Sequence, residues 1–241
     1  MKNFIKKEKK HLERIGKIFS SRTGFNSVLV DLRYETFKEF FKGKNCLEIG
    51  SADGQGTRHL LKFFKRIVAL DGSKELTDKL KRTIKNRNLE VVCSLVEEYK
   101  PKEKFDTIVL AHILEHVKNP IKVLKLAKSW LKKNGIILVD VPNANSLHRQ
   151  VGIKMGLLKK CTDLNEADKR IGHRRVYTID ALKRDIKKAG LKIKKTGGIF
   201  FKPLSNKQIE ESWDKKMIKG FYELGKDFPE LDAEIYIICS Q

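Results

Sequence analysis

Apolar positions follow a helical spacing over the first part of the chain and change to short continuous runs after about residue 45. Segment 1–18 is basic, with apolar residues three or four positions apart, and it predicts an amphipathic helix. A second helix is predicted over roughly 28–42. The apolar run at 46–49 ends in Gly50 and is followed by small and polar residues, which predicts a buried strand, a tight turn and the start of a helix.

From residue 67 onward, the pattern predicts strands and helices in alternation. The predicted elements are a strand at 67–70, a helix at 73–86, strands at 91–95 and 105–110, a helix that opens at Asn119 and Pro120 and closes at Gly135, and a strand at 136–141. Strands separated by helices of this length predict a parallel sheet covered on both faces. Right-handed crossovers make such a sheet doubly wound.

The last hundred residues are less regular. Segment 142–177 has no convincing period, so we predict an irregular excursion over the carboxyl edge of the sheet. Thr178 is predicted to cap a helix that ends at Gly190. The remaining predicted elements are strand-like pieces at 191–195 and 198–201, a polar helical stretch at about 206–225 and a last strand at 233–239.

The charge suggests a nucleic-acid partner, but its distribution argues against one. The net charge is +22, yet only 12 of the 52 basic residues are arginine, and the lysines are spread along every predicted helix. A solvated surface explains this pattern better than a specific nucleic-acid site. Arg149, Arg174 and Arg175 are likewise predicted as exposed or helix-capping cations rather than as an anion site.

Neither the cysteines nor the apolar runs indicate an exported or membrane protein. No run approaches the ~20 apolar residues that span a bilayer, and no apolar segment follows the N-terminal lysines. The four cysteines are scattered and lack the spacing of a metal site. We therefore expect a cytoplasmic protein with reduced thiols and no membrane partner.

The turn after the first strand is the candidate ligand site. Small residues alternate from Gly50 to Gly54, so a ligand can approach the backbone closely. Asp71 ends the second strand, where a carboxylate can accept hydrogen bonds from both hydroxyls of a ribose. The turn is not the dinucleotide pattern, and the acids Glu48 and Asp53 disfavour a pyrophosphate. The turn therefore predicts a cationic nucleoside without phosphate.

These residues resemble a known family. LEIGSADGQG, VALDGS, FDTIVLAHILEHV and IILVDVPN, in this order over about 45–143, look like the motifs of class I S-adenosylmethionine (SAM) dependent methyltransferases. The segment GHRRVYTIDALKRDIKKAGLKI at 172–193 more weakly resembles small-molecule members that act on sugars or quinone precursors. Ala52 departs from the family pattern, in which a glycine stands there. The resemblance implies a Rossmann-like, mostly parallel seven-stranded sheet with an antiparallel last strand, and methyl transfer from SAM.

The same resemblance implies an organisation for the chain. No internal repeat or domain boundary stands out, so we expect one domain over 1–241. Within it, 1–44 would be a helical cover, 45–143 the SAM-binding core, and 144–241 a substrate-covering excursion with the C-terminal strands.

The resemblance also implies a set of cofactor contacts. They are Glu48, Gly50, Ser51, Gly54, Asp71, Gly72, Val96, Glu97, Ala111 and His112. Glu48 would orient the amino end of SAM, Asp71 would hold the ribose diol, Glu97 would flank the adenine, and His112 would face the sulfonium. Two of them have other readings: Asp71 could only cap the following helix, and Glu97 could be a solvated acid.

Histidines are the candidate catalytic residues. Methyl transfer from a sulfonium is a direct displacement, so the enzyme aligns the acceptor and removes its proton. His112, His116 and His148 fall near the carboxyl ends of predicted strands, and His173 precedes the helix at 178. His116 has a structural alternative, in which it braces the following helix.

The spacing of His112, Glu115 and His116 leaves a metal site as an alternative. It resembles the E-x-x-E-H element of metal-dependent methyltransferases that act on diols, with His112 in place of the first glutamate, and His148 or His173 could complete the set of ligands. The missing acid and the position of His112 at a strand end favour metal-free chemistry, so we predict no metal.

The function predicted from the sequence is SAM-dependent O-methylation of a small hydroxylated or phosphorylated metabolite, such as a sugar or a surface-polysaccharide precursor. Two alternatives remain open. One is methylation of a terminal ribose of RNA, and the other is a non-catalytic SAM-binding protein. The sequence predicts neither the acceptor nor the oligomeric state.

Overall fold

A seven-stranded sheet with helices packed on its two faces forms the protein in the computed structural model, which describes residues 2–241. The strands are β1 (Asn45–Ile49), β2 (Arg66–Asp71), β3 (Leu89–Cys93), β4 (Phe105–Ala111), β5 (Leu131–Pro142), β6 (Lys192–Ile199) and β7 (Glu234–Ser240). Their order is β3-β2-β1-β4-β5-β7-β6. β7 is antiparallel to both of its neighbours, while the strands from β1 to β5 pair in parallel. The predicted α/β sheet with an antiparallel last strand is confirmed.

Ten α-helices are present among the described residues. They are α1 (Lys2–Ile18), α2 (Gly24–Phe37), α3 (Gln55–Leu60), α4 (Lys74–Thr83), α5 (Pro120–Trp130), α6 (Leu147–Lys154), α7 (Glu166–Arg170), α8 (Ile179–Lys188), α9 (Asn206–Ser212) and α10 (Lys215–Gly225). The predicted N-terminal helix is present, although Met1 lies outside the described residues. No helix within 2–241 is both long and apolar enough to cross a membrane.

The continuous apolar run of β5 is explained by burial on both faces of the sheet. Ile137 and Val139 pack in a core cluster with residues of α5 and α8, whereas Ile136 and Leu138 point into a second cluster with residues of α2. A strand whose two faces are both buried has no polar side to alternate with. This is why β5 reads as a run of apolar residues rather than as an alternating pattern.

The predicted end of α5 at Gly135 is wrong. The helix ends at Trp130, and β5 begins at the next residue because Leu131 pairs with Phe105 of β4. The glycine lies within the strand, on the far side of a register shift between Phe105 and Thr107. Glycine is a good helix terminator, but here the sheet pairing ends the helix first.

Three other predictions differ from the structure in detail. Segment 142–177 contains α6 and α7 and is not wholly irregular. The polar stretch at 206–225 is divided into α9 and α10, because Asp214 accepts a hydrogen bond from the Met217 amide and starts a new helix. The two strand pieces after Gly190 are one strand, β6, with an irregularity between Ile193 and Lys195.

Thr178 caps α8 as predicted: its hydroxyl accepts a hydrogen bond from the Ala181 amide. We expect Thr178→Ala to lower the free energy of unfolding by about 1 kcal/mol, because one amide of the first turn loses its partner. Urea unfolding of the variant measures this. Thr162→Ala, at an exposed position, is the control, and an equal loss in both variants would contradict the capping role.

Candidate functional site

A buried carboxylate holds the glycine turn in place. Asp71, at the end of β2, accepts hydrogen bonds from the amides of Ala52 (3.0 Å) and Ser73 (2.8 Å) through its two oxygens. Ala52 has a left-handed backbone conformation, with φ 47°, as does Gly54, with φ 92°. Burial raises the pKa of Asp71 to about 6, although the hydrogen bonds from the Ser73 and Ala52 amides act to lower it. A carboxylate has about four acceptor positions, so Asp71 keeps capacity for further donors.

Glu48 lies under the turn, on β1, and both of its oxygens are occupied. Its carboxylate accepts hydrogen bonds from the Tyr34 hydroxyl (2.8 Å) and the Thr57 hydroxyl (2.5 Å). Burial raises the pKa of Glu48 to about 7. The absence of a side chain at Gly56 leaves space for these hydrogen bonds, since a Cβ there would lie 2.6 Å from Glu48 Oε1. Glu48 therefore ties α2 and α3 to the sheet.

The Ser51 hydroxyl, by contrast, has no partner. Its Oγ is buried in the turn between Gly50 and Ala52 and makes no hydrogen bond to any described residue. A buried hydroxyl without a partner is costly, so its presence at a glycine turn indicates a ligand atom that completes it. Val96 and Glu97, on the neighbouring loop after β3, are partly exposed.

Helix α1 lies across the end of β2. The side chain of Leu12 approaches Gly72 so closely that a Cβ there would collide with it. Glu13 accepts a hydrogen bond from the Glu75 amide (3.3 Å) at the start of α4. At the end of the helix, the Asp53 carboxylate accepts a hydrogen bond from Ser20 Oγ (2.8 Å).

On the other side of the turn, a buried arginine joins two acids. Arg33, on α2, places Nε 2.6 Å from Asp140 Oδ2 and Nη2 2.7 Å from Glu234 Oε1. Asp140 is on β5, and Glu234 starts β7. Tyr236 lies opposite Asp140 in the antiparallel register, so Glu234, two residues away, is on the same face as Asp140. The arginine thus connects one helix to two strands at the carboxyl edge.

The pKa values of the two acids are shifted in opposite directions. Burial alone would raise the pKa of Glu234, but Arg33 and His112 hold it at about 2. Burial raises the pKa of Asp140 well above its usual range, and the charge of Glu234 adds to this rise. The charge of Arg33 acts in the opposite direction. At neutral pH, Arg33 therefore neutralises an ionised Glu234.

His112 extends this cluster from the end of β4. Its Nε2 lies 3.1 Å from Glu234 Oε1 and 3.4 Å from Asp140 Oδ2, and its Nδ1 lies 3.4 Å from Glu115 Oε1. The backbone at His112 is left-handed, with φ 53°, which is uncommon for a residue other than glycine. Burial and Arg33 lower the pKa of His112, so the ring is neutral at pH 7. About 30% of the side chain is exposed.

Two more histidines adjoin His112. The rings of His116 and His173 meet edge to face, with centroids 4.7 Å apart. Burial, together with the neighbouring His173 and His112, lowers the pKa of His116 to about 3. His173 reaches this place because the Arg174 amide donates to the Glu115 carbonyl oxygen (2.8 Å).

His148 lies apart from these three histidines. It is the second residue of α6, and its own amide donates to the Lys202 carbonyl oxygen (3.1 Å). Burial, together with the charges of Lys202 and Arg149, lowers the pKa of His148 to about 3. Its Nδ1 has no partner among the described residues. The structure therefore brings together three of the four predicted catalytic histidines.

Arg33, Asp140 and Glu234 were missed in the sequence. Asp140 lies in the apolar run IILVDVPN, and Glu234 lies in the last predicted strand. A charged residue in an apolar strand is seldom buried without a partner, so it can indicate a buried ion pair. The three arginines predicted as exposed or capping cations instead bind the backbone. Arg149 donates to the Cys161 carbonyl oxygen, and Arg174 and Arg175 donate to carbonyl oxygens of the turn after β4.

The strand order, the glycine turn and the acid that ends β2 define a cofactor-binding α/β domain whose site lies at the carboxyl edge of the sheet. A family model described as a methyltransferase domain matches residues 22–196. The chain belongs to this methyltransferase-domain family, which confirms the resemblance found in the sequence.

Curated relatives align with part of the chain. The ubiquinone biosynthesis O-methyltransferase of Bradyrhizobium diazoefficiens is 29% identical over 105 residues, which cover 43% of this chain and 42% of that protein. The (S)-coclaurine N-methyltransferase of Thalictrum flavum subsp. glaucum is 27% identical over 103 residues, which cover 41% of this chain and 28% of that protein. The chain thus spans less than half the length of these two relatives.

Solved structures show the same fold. An S-adenosylmethionine-dependent methyltransferase from Mesorhizobium loti has a TM-score of 0.64 at 11% sequence identity, over 88% of this chain and all of that one. At this sequence identity, the likeness concerns the fold alone.

The Arg33 cluster predicts a large and acid-sensitive contribution to stability. We expect Arg33→Met to lower the free energy of unfolding by about 3–5 kcal/mol at pH 7, because it leaves buried acids without their cation. The pKa of Glu234 is lowered to about 2, so its contribution is complete above its ordinary pKa of about 4.5 and is lost as the pH falls to about 2. Urea unfolding at a series of pH values measures both effects.

Arg66→Met is the matched control. Arg66 also contacts two acids, Glu90 and Glu103, but its side chain is 46% exposed. We expect this variant to lose at most about 1 kcal/mol. An equal free energy of unfolding in the two arginine variants would contradict the role of the buried cluster. So would a difference between wild type and Arg33→Met that stayed constant as the pH was lowered.

Proposed function

We propose that the protein transfers a methyl group from SAM to a hydroxyl oxygen of a small molecule. The observation that carries this proposal is the position of His112. Ile49 of β1 lies opposite Leu110 of β4, so the glycine turn and His112 leave the sheet side by side. Transfer to oxygen is supported by the name of the bacterial relative, an O-methyltransferase of ubiquinone biosynthesis. The sugar-type acceptor inferred from the sequence remains a proposal.

The cofactor site proposed from the sequence fits two features of the turn. The unpartnered Ser51 hydroxyl offers a hydrogen bond to the polar end of SAM, and Asp71 retains acceptor positions for the ribose hydroxyls. Glu48 would act indirectly, since its oxygens already accept from Tyr34 and Thr57. We keep the remaining contacts as proposed, namely Gly50, Gly54, Gly72, Val96, Glu97 and Ala111. When bound, SAM supplies the electrophilic methyl group.

His112 is the proposed general base. Its lowered pKa keeps the imidazole neutral and able to accept the acceptor's proton at neutral pH. Glu234, 3.1 Å from Nε2, would stabilise the imidazolium that forms. Nδ1 lies 3.4 Å from a Glu115 oxygen, so the ring is oriented by carboxylates on both sides. His116 and His173 would line the acceptor side of His112, and His148 would line a more distant wall beside Lys202.

The proposed division of the domain also fits the contacts. Segment 1–44 would cover the cofactor, as supported by Leu12 against Gly72 and by Glu13 at the start of α4. Segment 45–143 would bind SAM, and segment 144–241 would cover the acceptor.

We retain two further expectations as proposals. The scattered cysteines, which form no disulfide among the described residues, are consistent with a cytoplasmic location. The dispersed lysines are consistent with a protein that has no specific nucleic-acid partner.

The cofactor proposal predicts that Asp71 governs affinity for S-adenosylhomocysteine, the demethylated product. We expect Asp71→Ala to weaken binding by about 2–4 kcal/mol, because two hydrogen bonds to a carboxylate are lost. Isothermal calorimetry measures the change. Asp78→Ala, on the exposed face of α4, should leave the affinity as it is, and unchanged affinity in Asp71→Ala would refute the ribose site.

The base proposal predicts a kinetic effect. We expect His112→Asn to lower kcat by about 10²–10⁴-fold while affinity for S-adenosylhomocysteine changes only slightly. Because the pKa of His112 is lowered, the acid limb of the wild-type pH profile should lie below about pH 6.5. His59→Asn, on α3, is the control.

The assay uses labelled SAM with a catechol, sugar phosphates and a short RNA that ends in a free ribose, and it locates the methyl group by mass spectrometry. Methylation of a small-molecule hydroxyl supports the proposal. Transfer to RNA alone, or to a nitrogen or carbon atom, would overturn the acceptor class. An unchanged kcat in His112→Asn would remove the base.

A further inference from the structure

Three potential metal ligands converge beside His112. The ligand atoms of Glu115, His116 and His173 all lie within 4.8 Å of one another. Glu115 and His116 come from the turn after β4, whereas His173 comes from the loop after α7, more than fifty residues later. Of the two histidines that the sequence offered to complete the site, the fold places His173 beside Glu115 and His116.

The burial of Glu115 is the strongest observation. Its side chain is fully buried, and neither carboxylate oxygen accepts a hydrogen bond from any residue between 2 and 241. The Nδ1 of His112 lies 3.4 Å from one of these oxygens. Buried polar groups are usually hydrogen-bonded, paired or bound to a metal ion, because a buried polar atom without a partner is costly. The Glu115 carboxyl group therefore has two buried oxygens whose partner the described residues do not provide.

His173 has the orientation of a metal-bound histidine. Its Nδ1 lies 3.2 Å from Asp168 Oδ1, and Asp168 is itself held by Arg149, at 3.2 Å. A carboxylate beside one ring nitrogen is the usual outer partner of a histidine that binds an ion through its other nitrogen. Both ring nitrogens of His173 are buried, and neither forms a hydrogen bond within the described part of the chain.

Backbone hydrogen bonds hold the three ligands together. The backbone amide of Arg174 donates to the Glu115 carbonyl oxygen (2.8 Å), and the side-chain Nε of Arg174 donates to the His116 carbonyl oxygen (2.6 Å). Arg175 Nη1 donates to the Leu114 carbonyl oxygen (2.6 Å). These bonds join the loop that carries His173 to the turn that carries the other two ligands, so the site is preorganised.

The neighbouring group of His112, Asp140 and Glu234 is a weaker candidate. Its ligand atoms also lie close together, but the Arg33 guanidinium is within 2.7 Å of both acids and already supplies their cation. Arg174, the arginine nearest in sequence to the first group, directs its Nη2 to Glu8 at 2.9 Å. Glu115 therefore combines carboxyl oxygens that have no hydrogen-bond partner among the described residues with two histidine nitrogens close by.

We propose that Glu115, His116 and His173 bind one divalent transition-metal ion, such as Zn²⁺ or Mn²⁺. Two imidazoles and one carboxylate suit such ions, and three protein ligands leave a position open for another oxygen. Magnesium prefers oxygen ligands and should bind more weakly. The role of the ion rests on the proposed function: a bound ion would lower the pKa of an acceptor hydroxyl that it coordinates.

Direct binding of ions to chelated protein tests the site. Wild-type protein, stripped with EDTA and dialysed, is titrated calorimetrically with Zn²⁺, Mn²⁺ and Mg²⁺ in separate experiments. We expect one site, tighter for Zn²⁺ and Mn²⁺ than for Mg²⁺. Glu115→Gln and His173→Ala should each weaken that site at least about tenfold, since changes even to outer partners of metal ligands cost about 10–100-fold.

Two surface substitutions are the matched controls. Glu90→Gln removes an exposed carboxylate from β3, and His59→Ala removes a histidine from α3. Both should bind ions as the wild type does. Melting temperatures with and without Zn²⁺ add a second readout: the ion should raise the melting temperature of wild type and controls but not of the ligand variants.

The outcomes separate this proposal from the proposed function. Equal ion affinity in wild type, Glu115→Gln and His173→Ala would overturn the metal site, because binding would then be adventitious. If Glu115→Gln does not fold, Asp168→Asn takes its place. This variant should also weaken ion binding, because it removes the carboxylate beside His173 Nδ1. Binding of S-adenosylhomocysteine is measured in the same samples: its absence, with ion binding intact, would overturn the methyltransferase proposal and leave the metal site standing.

Discussion

The ion pairs of Arg33 hold the carboxyl edge of the sheet together. The guanidinium is buried and reaches Asp140 on β5 and Glu234 on β7, so a helix from the start of the chain fixes two strands from its second half. Without that cation, two carboxylates would face each other in an apolar edge, which is costly. His112 lies 3.1 Å from the same Glu234, so its orientation depends on this pairing as well.

A similar use of buried acid organises the cofactor side. Asp71 and Glu48 bind amides and hydroxyls of the surrounding elements, and burial raises the pKa of each into the range of about 6–7. Such groups tolerate their burial because every oxygen has a donor. Glu115 differs from them in this respect, since its oxygens have no donor among the described residues. That contrast, rather than its burial alone, marks it as a ligand.

The sequence predicted what local patterns encode. The alternation of strands and helices, the glycine turn, Asp71 and the Thr178 cap are each determined by neighbouring residues, and each was found. The end of α5 was not, because pairing between Leu131 and Phe105 decides it. The site was only half predicted for the same reason: the meeting of His173 with His116 depends on backbone bonds between segments far apart in the chain.

Net charge was the least informative property because it averages over the surface. Most lysines are exposed, on helices, loops and strands alike, where salt screens each charge beyond about 8 Å. At the carboxyl edge, three buried acids, Asp140, Glu234 and Glu115, lie near one buried arginine. Charges in a buried site are screened far less than those on the surface. A cationic sulfonium or a divalent ion bound there would therefore be affected by these nearby groups and not by the net charge of +22.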